Sequence, residues 1–368
     1  MQEKLAGSNQ TRWIGLRRDA VNFCAYGLIR TLVAILGVMP LDMGDSICRG
    51  LARLLSGPIP LRGKLIAENL ERVFPTASPL QKRELTRRMW HSLLLTACEV
   101  AWADRRLHRC NWSQHVQLRD NGLMLRKMLS GRPVVMVTGH FGNFEIGGYV
   151  TGLMGFQTLA IARKLDNRFL DAWVQRFRSA KGQFLVDKQG CAPVVDRHLS
   201  RGGILSILAD QHAGDKGCWV PFMGIPASCH KALALFSLGA SAPMVVAATC
   251  RLDGRPLQFE ISSAGAVDPL EYPDHPALAG VADLTRWYND RLAAAVSRSV
   301  EQYWWLHRRW RSPPARVAKR LSHQAAKRSR EPAAGNSGGS GGGPGSQDSG
   351  SQESGSQDPE SGSRHRAA

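Results

Sequence analysis

The sequence predicts an α/β fold, with a mixed, mostly parallel β-sheet flanked by helices and a helical region before it. Between about residues 133 and 260, short apolar runs rich in β-branched residues alternate with helix-like segments. That alternation is typical of strands joined by helical crossovers. Before residue 110, apolar residues instead recur at three- and four-residue spacing, which indicates amphipathic helices. At 368 residues and 43% hydrophobic, the chain can bury a large core.

The net charge of the chain indicates what kind of partner it binds, and its cysteines indicate the redox compartment in which it works. The formal net charge of +18 predicts a polyanionic partner, either nucleic acid or an anionic membrane surface. The eight cysteines are scattered singly, with no C-x-x-C spacing. We therefore expect reduced core thiols in a reducing compartment, and we assign no disulfide framework, metal or cofactor to the chain.

The helical region contains one long apolar run, residues 24–39. Arg30 interrupts it, and its sixteen residues fall short of the roughly 20 that cross a bilayer. Basic residues lie on both sides of the run, so they set no clear orientation. A helix lying on the membrane surface fits this pattern best. A buried core helix and a short signal anchor are the alternatives.

The remaining elements follow in order. Ser78 is expected to cap a helix after the break at Pro75 and Pro79. Predicted strands are 134–137, 158–162, 204–208 and 244–249, with 257–261 as an antiparallel edge partner. Predicted helices are 169–179, 194–199, 232–238 and 281–303.

Beyond Pro314 the globular pattern stops. The basic run 316–330 predicts a frayed helix or a solvated tail, and the Gly/Ser/Gln-rich acidic segment that follows predicts disorder. The sequence therefore predicts three regions: a membrane-associated helical region at 1–110, a catalytic domain at 111–315 and a tail at 316–368.

A histidine and a glutamate follow the first predicted strand. His140 comes after the turn glycine Gly139, and Glu145 lies five residues further on, near the start of a helix. Ligand crevices of α/β sheets open at the carboxyl ends of strands. We expect Glu145 to accept the Nδ1 proton of His140 and to leave Nε2 as a base. The alternative is a solvent-facing turn histidine, with Glu145 favoured by the helix dipole.

Other polar residues follow other predicted strands. They are Arg163, Asn167, Arg176, Arg178, Asp210 and Gln211. A carboxylate directly after a buried strand is costly unless it is paired, so we expect Asp210 to pair with one of these three arginines. Guanidinium groups suit phosphate or carboxylate. Each arginine alone could equally face water, and Asp210 could cap a helix or a turn.

Two aromatic or apolar segments complete the pattern. Residues 217–227, which include Phe222 and Gly224, look too irregular for a regular element and could wall an apolar groove for an acyl chain or form an ordinary loop. Residues 302–310 combine three tryptophans with cationic and titratable side chains. That composition suits a membrane interface, stacking on single-stranded nucleic acid, or a terminal helix docked on the core.

Taken together, these segments resemble the bacterial lipid A late acyltransferase family, within the wider lysophospholipid-acyltransferase-like superfamily. The segments are HFGNFE at 140–145, the Arg163 segment with Asn167, DQ at 210–211, PFMGIPA at 221–227 and QYWWLHRRW at 302–310. AENLERVFP at 67–75 is similar to that family's N-terminal helical region. The resemblance covers about residues 15–315 and implies a glycerol-3-phosphate acyltransferase-like fold. Phe144 and Met223 depart from the tryptophan and phenylalanine that the family often has there.

The resemblance implies transfer of a fatty acyl group from an acyl carrier protein thioester to a hydroxyl of a membrane lipid, with a lipid A precursor as the leading acceptor. It implies a protein peripheral on the cytoplasmic face of the inner membrane. His140 would be the general base, Glu145 would orient it, and Asp210 would pair with Arg178 in the active site. The residues expected to bind substrate are Arg163, Asn167, Arg176, Gln211, Phe222 and Gly224.

Two other functions compete with acyl transfer. A hydrolase would use the same histidine and glutamate on acyl esters or thioesters, activating water in place of a lipid hydroxyl. A nucleic-acid-binding protein would use residues 316–330 and the tryptophans, but the sequence has no nucleic-acid reader motif. We expect acyl carrier protein and anionic lipid as partners, and no nucleic acid.

Overall fold

The computed structural model describes the backbone of residues 2–330 and the side chains of residues 17–322. Four helices come first: α1 (Gln2–Val38), α2 (Leu41–Ser56), α3 (Gly63–Val73) and α4 (Pro79–Arg106). The predicted cap of α4 is confirmed, because the Ser78 hydroxyl accepts from the Gln81 backbone while the Gln81 side chain accepts from the Ser78 backbone.

The sheet and its covering helices follow. In chain order they are α5 (Trp112–His115), β1 (Val116–Arg119), α6 (Gly122–Leu129), β2 (Val134–Thr138), α7 (Phe144–Leu153), β3 (Thr158–Ala162), α8 (Arg168–Ser179), β4 (Gln183–Asp187), α9 (Ala192–Leu199), β5 (Ile204–Leu208), β6 (Cys218–Phe222), β7 (Ile225–Cys229), α10 (Ala232–Gly239), β8 (Met244–Arg251), β9 (Phe259–Val267), α11 (Val281–Ser297) and α12 (Ala315–Arg330). Seven strands form one sheet in the order β1-β9-β8-β2-β5-β3-β4. Within this sheet β8 and β9 pair antiparallel and every other neighbouring pair is parallel, so the predicted mixed, mostly parallel sheet is confirmed.

Both faces of the sheet are covered. Along the central strand β2, Val135 and Val137 belong to one apolar core, while Val134 and Met136 belong to a second core on the other face. A parallel sheet buried on both faces needs such continuous apolar strands. In β2 and β5, Thr138 pairs with Leu208. The loops that leave these two strands therefore emerge side by side.

Several sequence predictions need correction. Residues 257–261 were expected at an edge, but β9 has β1 on its outer side. The helix predicted at 281–303 ends at Ser297, and a short 3-10 helix, Val300–Gln302, follows. The segment 217–227 is not irregular: β6 and β7 form a tight antiparallel hairpin whose two turn residues, Met223 and Gly224, have φ values of 51° and 77°.

The first helix is longer and more exposed than the sequence predicted. A 22-residue stretch of α1, Arg17–Val38, is long and apolar enough to cross a membrane, and only 6% of its most apolar window is buried. The alternative of a buried core helix is therefore wrong. No disulfide joins the cysteines in the described part of the chain. Cys48, Cys98, Cys229 and Cys250 are buried, as expected of core thiols, whereas Cys24 and Cys110 are exposed, contrary to that expectation.

Helix α1 lies along the rest of the protein. The Asn167 side chain donates to the carbonyl of Asn22 over 2.7 Å, and the Phe23 and Phe169 rings meet edge to face at 5.4 Å. Near the other end, a Cβ on Gly37 would lie 3.2 Å from the carbonyl oxygen of Ala101 in α4. Contacts thus run along the apolar length of α1, and residues 1–318 form one compact unit.

The boundaries predicted at residues 110 and 315 stay predictions. Helix α12 covers the basic run 316–330 at the start of the predicted tail, so of the two alternatives for this run the helix is the one that forms. The predicted disorder of the rest of the tail falls on residues 331–368, which lie outside the described residues.

Candidate functional site

His140 is held by Asp210. Because the loops after β2 and β5 emerge together, the Asp210 carboxylate accepts from Nδ1 of His140 at 2.8 Å and from its backbone nitrogen at 3.0 Å. Asp210 is fully buried. Burial alone would raise the pKa of Asp210, but the charge of His140 and its hydrogen bond outweigh burial and lower that pKa to about 2. An ionised carboxylate on Nδ1 leaves Nε2 of His140 as the basic nitrogen.

This geometry corrects the predicted partner of His140. Glu145, which was expected to orient His140, instead receives two hydrogen bonds from Arg178, one of them from Nε at 3.1 Å. Arg178 was expected to pair with Asp210 and does not. Asp210 and Glu145 thus exchange their predicted partners. Spacing along the chain placed both carboxylates at the site, but it did not indicate which group each would touch.

The turn that carries His140 is fixed by backbone contacts. Gly142 adopts the left-handed conformation (φ 59°), and a Cβ there would overlap the carbonyl oxygen of Thr249. The next residue, Asn143, donates its backbone N–H to that same oxygen at 2.9 Å and caps α7 by accepting from Ile146. The Asn143 side chain also donates to Glu99 at 2.8 Å. The turn is therefore anchored to β8 and to α4.

Residues 302–310, hereafter the strap, cross this turn. Tyr303 forms an isolated antiparallel bridge with Phe141, and the backbone N–H of Trp304 donates to the His140 carbonyl at 3.1 Å. Trp305 and Trp310 are buried in the core. Of the three alternatives for this segment, docking on the core is the one that these two tryptophans bear out, although the segment is not a helix.

Helix α3 holds the strap from the other side. The Asn69 side chain donates to the carbonyls of Trp305 and His307 at 2.7 and 2.8 Å. Arg72 donates to the carbonyl of Trp310 at 2.6 Å. The segment 67–75, singled out from the sequence, therefore acts as a clamp on the strap.

Two further residues of the strap, His307 and Arg309, reach the site, and the sequence pattern alone predicts no role for either. The His307 ring lies 4.7 Å from the His140 ring, centre to centre. Burial, together with the charge of His140, lowers the pKa of His307 to about 4, so this imidazole is neutral at pH 7. Arg309 is fully buried and donates to the carbonyls of Gln211 and Ser228 at 2.9 and 2.8 Å. The only sequence signal was the motif that contains both residues.

The other predicted binding residues are scattered. Gln211 is at the site, with Nε2 at 3.3 Å from Nε2 of His140. Asn167 caps α8 and ties it to α1. Arg163 is exposed and pairs with Asp166, and Arg176 is exposed on α8. The structure therefore brings Gln211 to His140 and gives Asn167 a structural role.

Phe222 and Gly224 were expected to wall an acyl groove. Phe222 is fully buried, and the guanidinium carbon of Arg309 lies 4.8 Å from its ring centre. Gly224 occupies the hairpin turn. Neither residue lines either of the two cavities near the site, so the expected groove is not built by this segment.

Two cavities meet beside the site. A narrow cavity of about 100 Å³ lies between the sheet and α7, and its lining includes Gly147 and Gly148. A wider one of about 480 Å³, hereafter the α1 cleft, lies between α1, α4 and α8. Phe144, Glu145 and Arg178 line both, so the ion pair marks their junction. The rings of Phe144 and Trp304, which line the cleft, lie 5.1 and 5.2 Å from the His140 ring, centre to centre.

Comparisons with known proteins agree on one family. Residues 20–312 match the family described as bacterial lipid A biosynthesis acyltransferase. The chain is 26% identical over 261 residues to the lipid A biosynthesis palmitoleoyltransferase of Escherichia coli K12, covering 69% of this chain and 80% of that protein. It is 24% identical over 284 residues to the lipid A biosynthesis lauroyltransferase of the same organism, covering 74% of this chain and 86% of that protein. A lipid A biosynthesis acyltransferase of Haemophilus influenzae is 25% identical over 263 residues, covering 69% of this chain and 78% of that protein.

Proposed function

Because the chain belongs to the bacterial lipid A biosynthesis acyltransferase family, we propose that it transfers a fatty acyl group from an acyl carrier protein thioester to a hydroxyl of a lipid A precursor. The observation that carries this proposal is the His140–Asp210 pair beside the two cavities. General-base catalysis needs an oriented imidazole within reach of the substrate hydroxyl. An acyl chain and a lipid acceptor need apolar space next to that imidazole, and the cavities supply it.

The reaction follows from the tautomer of His140. Nε2 takes the proton of the acceptor hydroxyl while that oxygen attacks the thioester carbonyl carbon. The tetrahedral intermediate then collapses: the carbon–sulfur bond breaks, and the proton on Nε2 passes to the leaving thiolate. Asp210 stabilises the imidazolium that exists between these two steps. No covalent acyl-enzyme is needed.

Glu145 and Arg178 act at the junction of the cavities. In this proposal the acyl chain occupies the narrow cavity, the acceptor occupies the α1 cleft, and the thioester carbonyl lies between them. Arg178, held by two hydrogen bonds from its guanidinium to Glu145, stabilises the oxyanion that forms there. Glu145 thereby positions Arg178 and does not position His140.

We also propose that the protein is attached to the cytoplasmic face of the inner membrane through α1. The face of α1 opposite to its contacts with α4 and α8 carries the exposed residues Val21, Leu28, Leu32 and Ile35. A helix held along its length and apolar on its outer face suits a position in the membrane surface. The excess of basic residues suits both anionic headgroups and an acidic carrier protein. We propose no nucleic-acid partner, because two of the three tryptophans of the strap, Trp305 and Trp310, are buried and unavailable for stacking.

Hydrolysis of the thioester is the second candidate reaction. Gln211, whose amide lies next to Nε2 of His140, is an exposed residue, so water reaches the same base. Water could then replace the lipid hydroxyl as the nucleophile. We propose hydrolysis only as a slower side reaction, because it makes no use of the α1 cleft.

The test is an in vitro transfer assay. The full-length protein in detergent is mixed with acyl-carrier-protein thioesters of several chain lengths and with a lipid A precursor, and products are identified by mass. We expect an acylated lipid with the wild type and none with His140→Ala. Free fatty acid without acylated lipid would favour the hydrolase. No consumption of thioester by the wild type would contradict both reactions.

A further inference from the structure

Arg30 is a charged residue inside the apolar stretch of α1. Its guanidinium carbon lies 5.3 Å from the ring centre of Trp173 and 6.0 Å from that of Tyr26, and it has no carboxylate partner among the residues whose side chains are described. Ionisable residues in membrane-associated apolar helices are costly and usually mark a functional site. Arg30 lines the α1 cleft, as does Trp173.

The charges that line the α1 cleft leave a positive surplus. The charged lining residues are Arg30, Arg105, Arg178, Asp104 and Glu145. Glu145 is neutralised by Arg178, and Asp104 lies 3.8 Å from the ammonium of Lys181. Arg30 and Arg105 remain without an acidic partner in the described part of the chain. The cleft therefore presents two uncompensated guanidinium groups.

These two groups lie on neighbouring walls of the cleft, Arg30 on α1 and Arg105 on α4, with apolar surface around them. Gly37 is seven residues after Arg30 and shares its helix face, about 10 Å along the axis. A Cβ on Gly37 would lie 3.6 Å from Nε of Arg105, which places the Arg105 side chain beside that end of α1. Val33 and Ala34 of α1 line the wall between them, and Val100 lines the α4 side. This arrangement suits a ligand with anionic groups and apolar chains.

We propose that Arg30 and Arg105 bind phosphate groups of the lipid acceptor in the α1 cleft and so bring its hydroxyl to His140. Guanidinium groups form bidentate hydrogen bonds with phosphate, and phosphates supply the negative charge of membrane lipids. This inference rests on the proposed function, because only an acyl transfer to lipid requires an acceptor at this site. It adds two residues that recognise the headgroup and make no contact with the reacting atoms.

The acyl donor is a second source of the same chemistry, since the prosthetic arm of an acyl carrier protein contains a phosphodiester. The position of the cleft favours the acceptor. One wall is α1, whose outer face carries exposed Val21, Leu28 and Leu32 and suits contact with lipid. A lipid at that outer face is therefore separated from the cleft by α1 alone.

The experiment measures steady-state transfer by full-length Arg30→Gln and Arg105→Gln in mixed micelles, varying donor and acceptor separately. We expect the acceptor KM of each variant to rise about ten- to a hundredfold, which corresponds to the loss of one charge-assisted contact. The donor KM should not change, and Arg30→Lys should recover part of the loss. With an acceptor from which the phosphates have been removed, wild type and variants should behave alike.

The matched control is Arg18→Gln, which removes the same charge from an exposed position of α1 that does not line the cleft. Thioester hydrolysis without acceptor shows that each variant is folded and has a working His140. A rise in donor KM only, an unchanged acceptor KM, or an equal rise for Arg18→Gln would overturn the inference. A wild type that transfers nothing would instead contradict the proposed function.

Discussion

At the scale of single residues, the chemistry of the site depends on which carboxylate bonds to His140 and which bonds to Arg178. Asp210 has no solvent exposure and is bonded twice to His140, whereas Glu145 is partly exposed and bonded twice to Arg178. A buried carboxylate fixes the tautomer of a histidine more firmly than an exposed one, because water does not compete for its oxygens. The two acidic residues therefore have different chemical tasks, which mutation can separate.

Replacement of Asp210 by asparagine should lower kcat about a thousandfold or more, since an amide cannot hold the imidazolium or impose the Nδ1–H tautomer. The rate of acyl transfer at saturating substrates measures this loss. The KM of the acceptor should change little, because Asp210 lines neither of the two cavities at the site. A variant with near-normal kcat would contradict the role assigned to Asp210.

Glu145→Gln should act through Arg178. The neutral amide accepts weaker hydrogen bonds, so the guanidinium at the junction of the cavities loses its fixed position. We expect kcat to fall, and the fall should be much smaller in a protein that already carries Arg178→Gln. Measured in a double-mutant cycle, simple additivity of the two effects would show that the pair does not act as a unit.

At the scale of elements, the strap and the turn at 140–143 position the site together. The turn is fixed by β8 and α4, and the strap is fixed by α3, whose Asn69 holds two of its carbonyls. Both contacts join segments far apart in the chain. Mutations that weaken the contacts of the turn or of the strap should therefore displace His140, although they change residues that do not contact it.

Gly142→Ala should destabilise the protein and inactivate it, since alanine at φ 59° is strained and its Cβ would overlap Thr249. Gly131→Ala is the matched control, because Gly131 has φ 73° but open space around it. We expect the control to lose about 1–2 kcal/mol of stability and to keep its activity. Thermal unfolding and transfer rates compare the two, and equal behaviour would show that the contact with Thr249 is unimportant.

Asn69→Leu should leave two carbonyls of the strap without their donor. Each unsatisfied buried group costs about 1–3 kcal/mol, so we expect a lower unfolding temperature and a lower kcat. If the melting temperature falls but kcat at low temperature stays normal, α3 supports the fold only. Ser322→Ala, which removes an exposed hydroxyl outside the strap, is the control and should change neither quantity.

The elements also show what the sequence can predict. Strands β3 and β5 were predicted to the residue and β2 to within one, because strands covered on both faces are continuous apolar runs between turn signals. Strands β1 and β4 were not predicted. They lie at the edges of the sheet, where buried and exposed residues mix and the apolar pattern is weak. The His140–Asp210 bond joins residues 70 positions apart. His140 and Asp210 come together because β2 and β5 pair side by side. The sequence alone does not show which strands pair or in what register.

At the scale of the whole molecule, buried histidines couple stability to pH. Burial lowers the pKa values of His230 and His307 to about 4, from a usual value of 6.5. Between these values the unfolded chain binds protons that the folded one does not. Stability is therefore fully present above pH 6.5 and falls as the pH drops toward 4.

We expect an unfolding free energy that decreases by up to about 2.7 kcal/mol per pH unit within this window, from two histidines together. Below it, protonation of Asp210, whose pKa is about 2 in the fold, removes further stability. Denaturation midpoints between pH 4 and 8 measure the slope. His230→Gln should reduce the slope by about half, and an unchanged slope would contradict this assignment.

The attachment of α1 along α8 and α4 has a consequence for the exchange of parts between proteins. An ordinary membrane anchor can be replaced by any helix of similar length and hydropathy. Here the side chains of Phe23 and Arg30 make residue-specific contacts with Phe169 and Trp173, and α1 forms one wall of the cleft. We expect a chimera with a foreign apolar helix of similar length to lack that wall and to lose transfer activity, so α1 is part of the site and not only an attachment to the membrane.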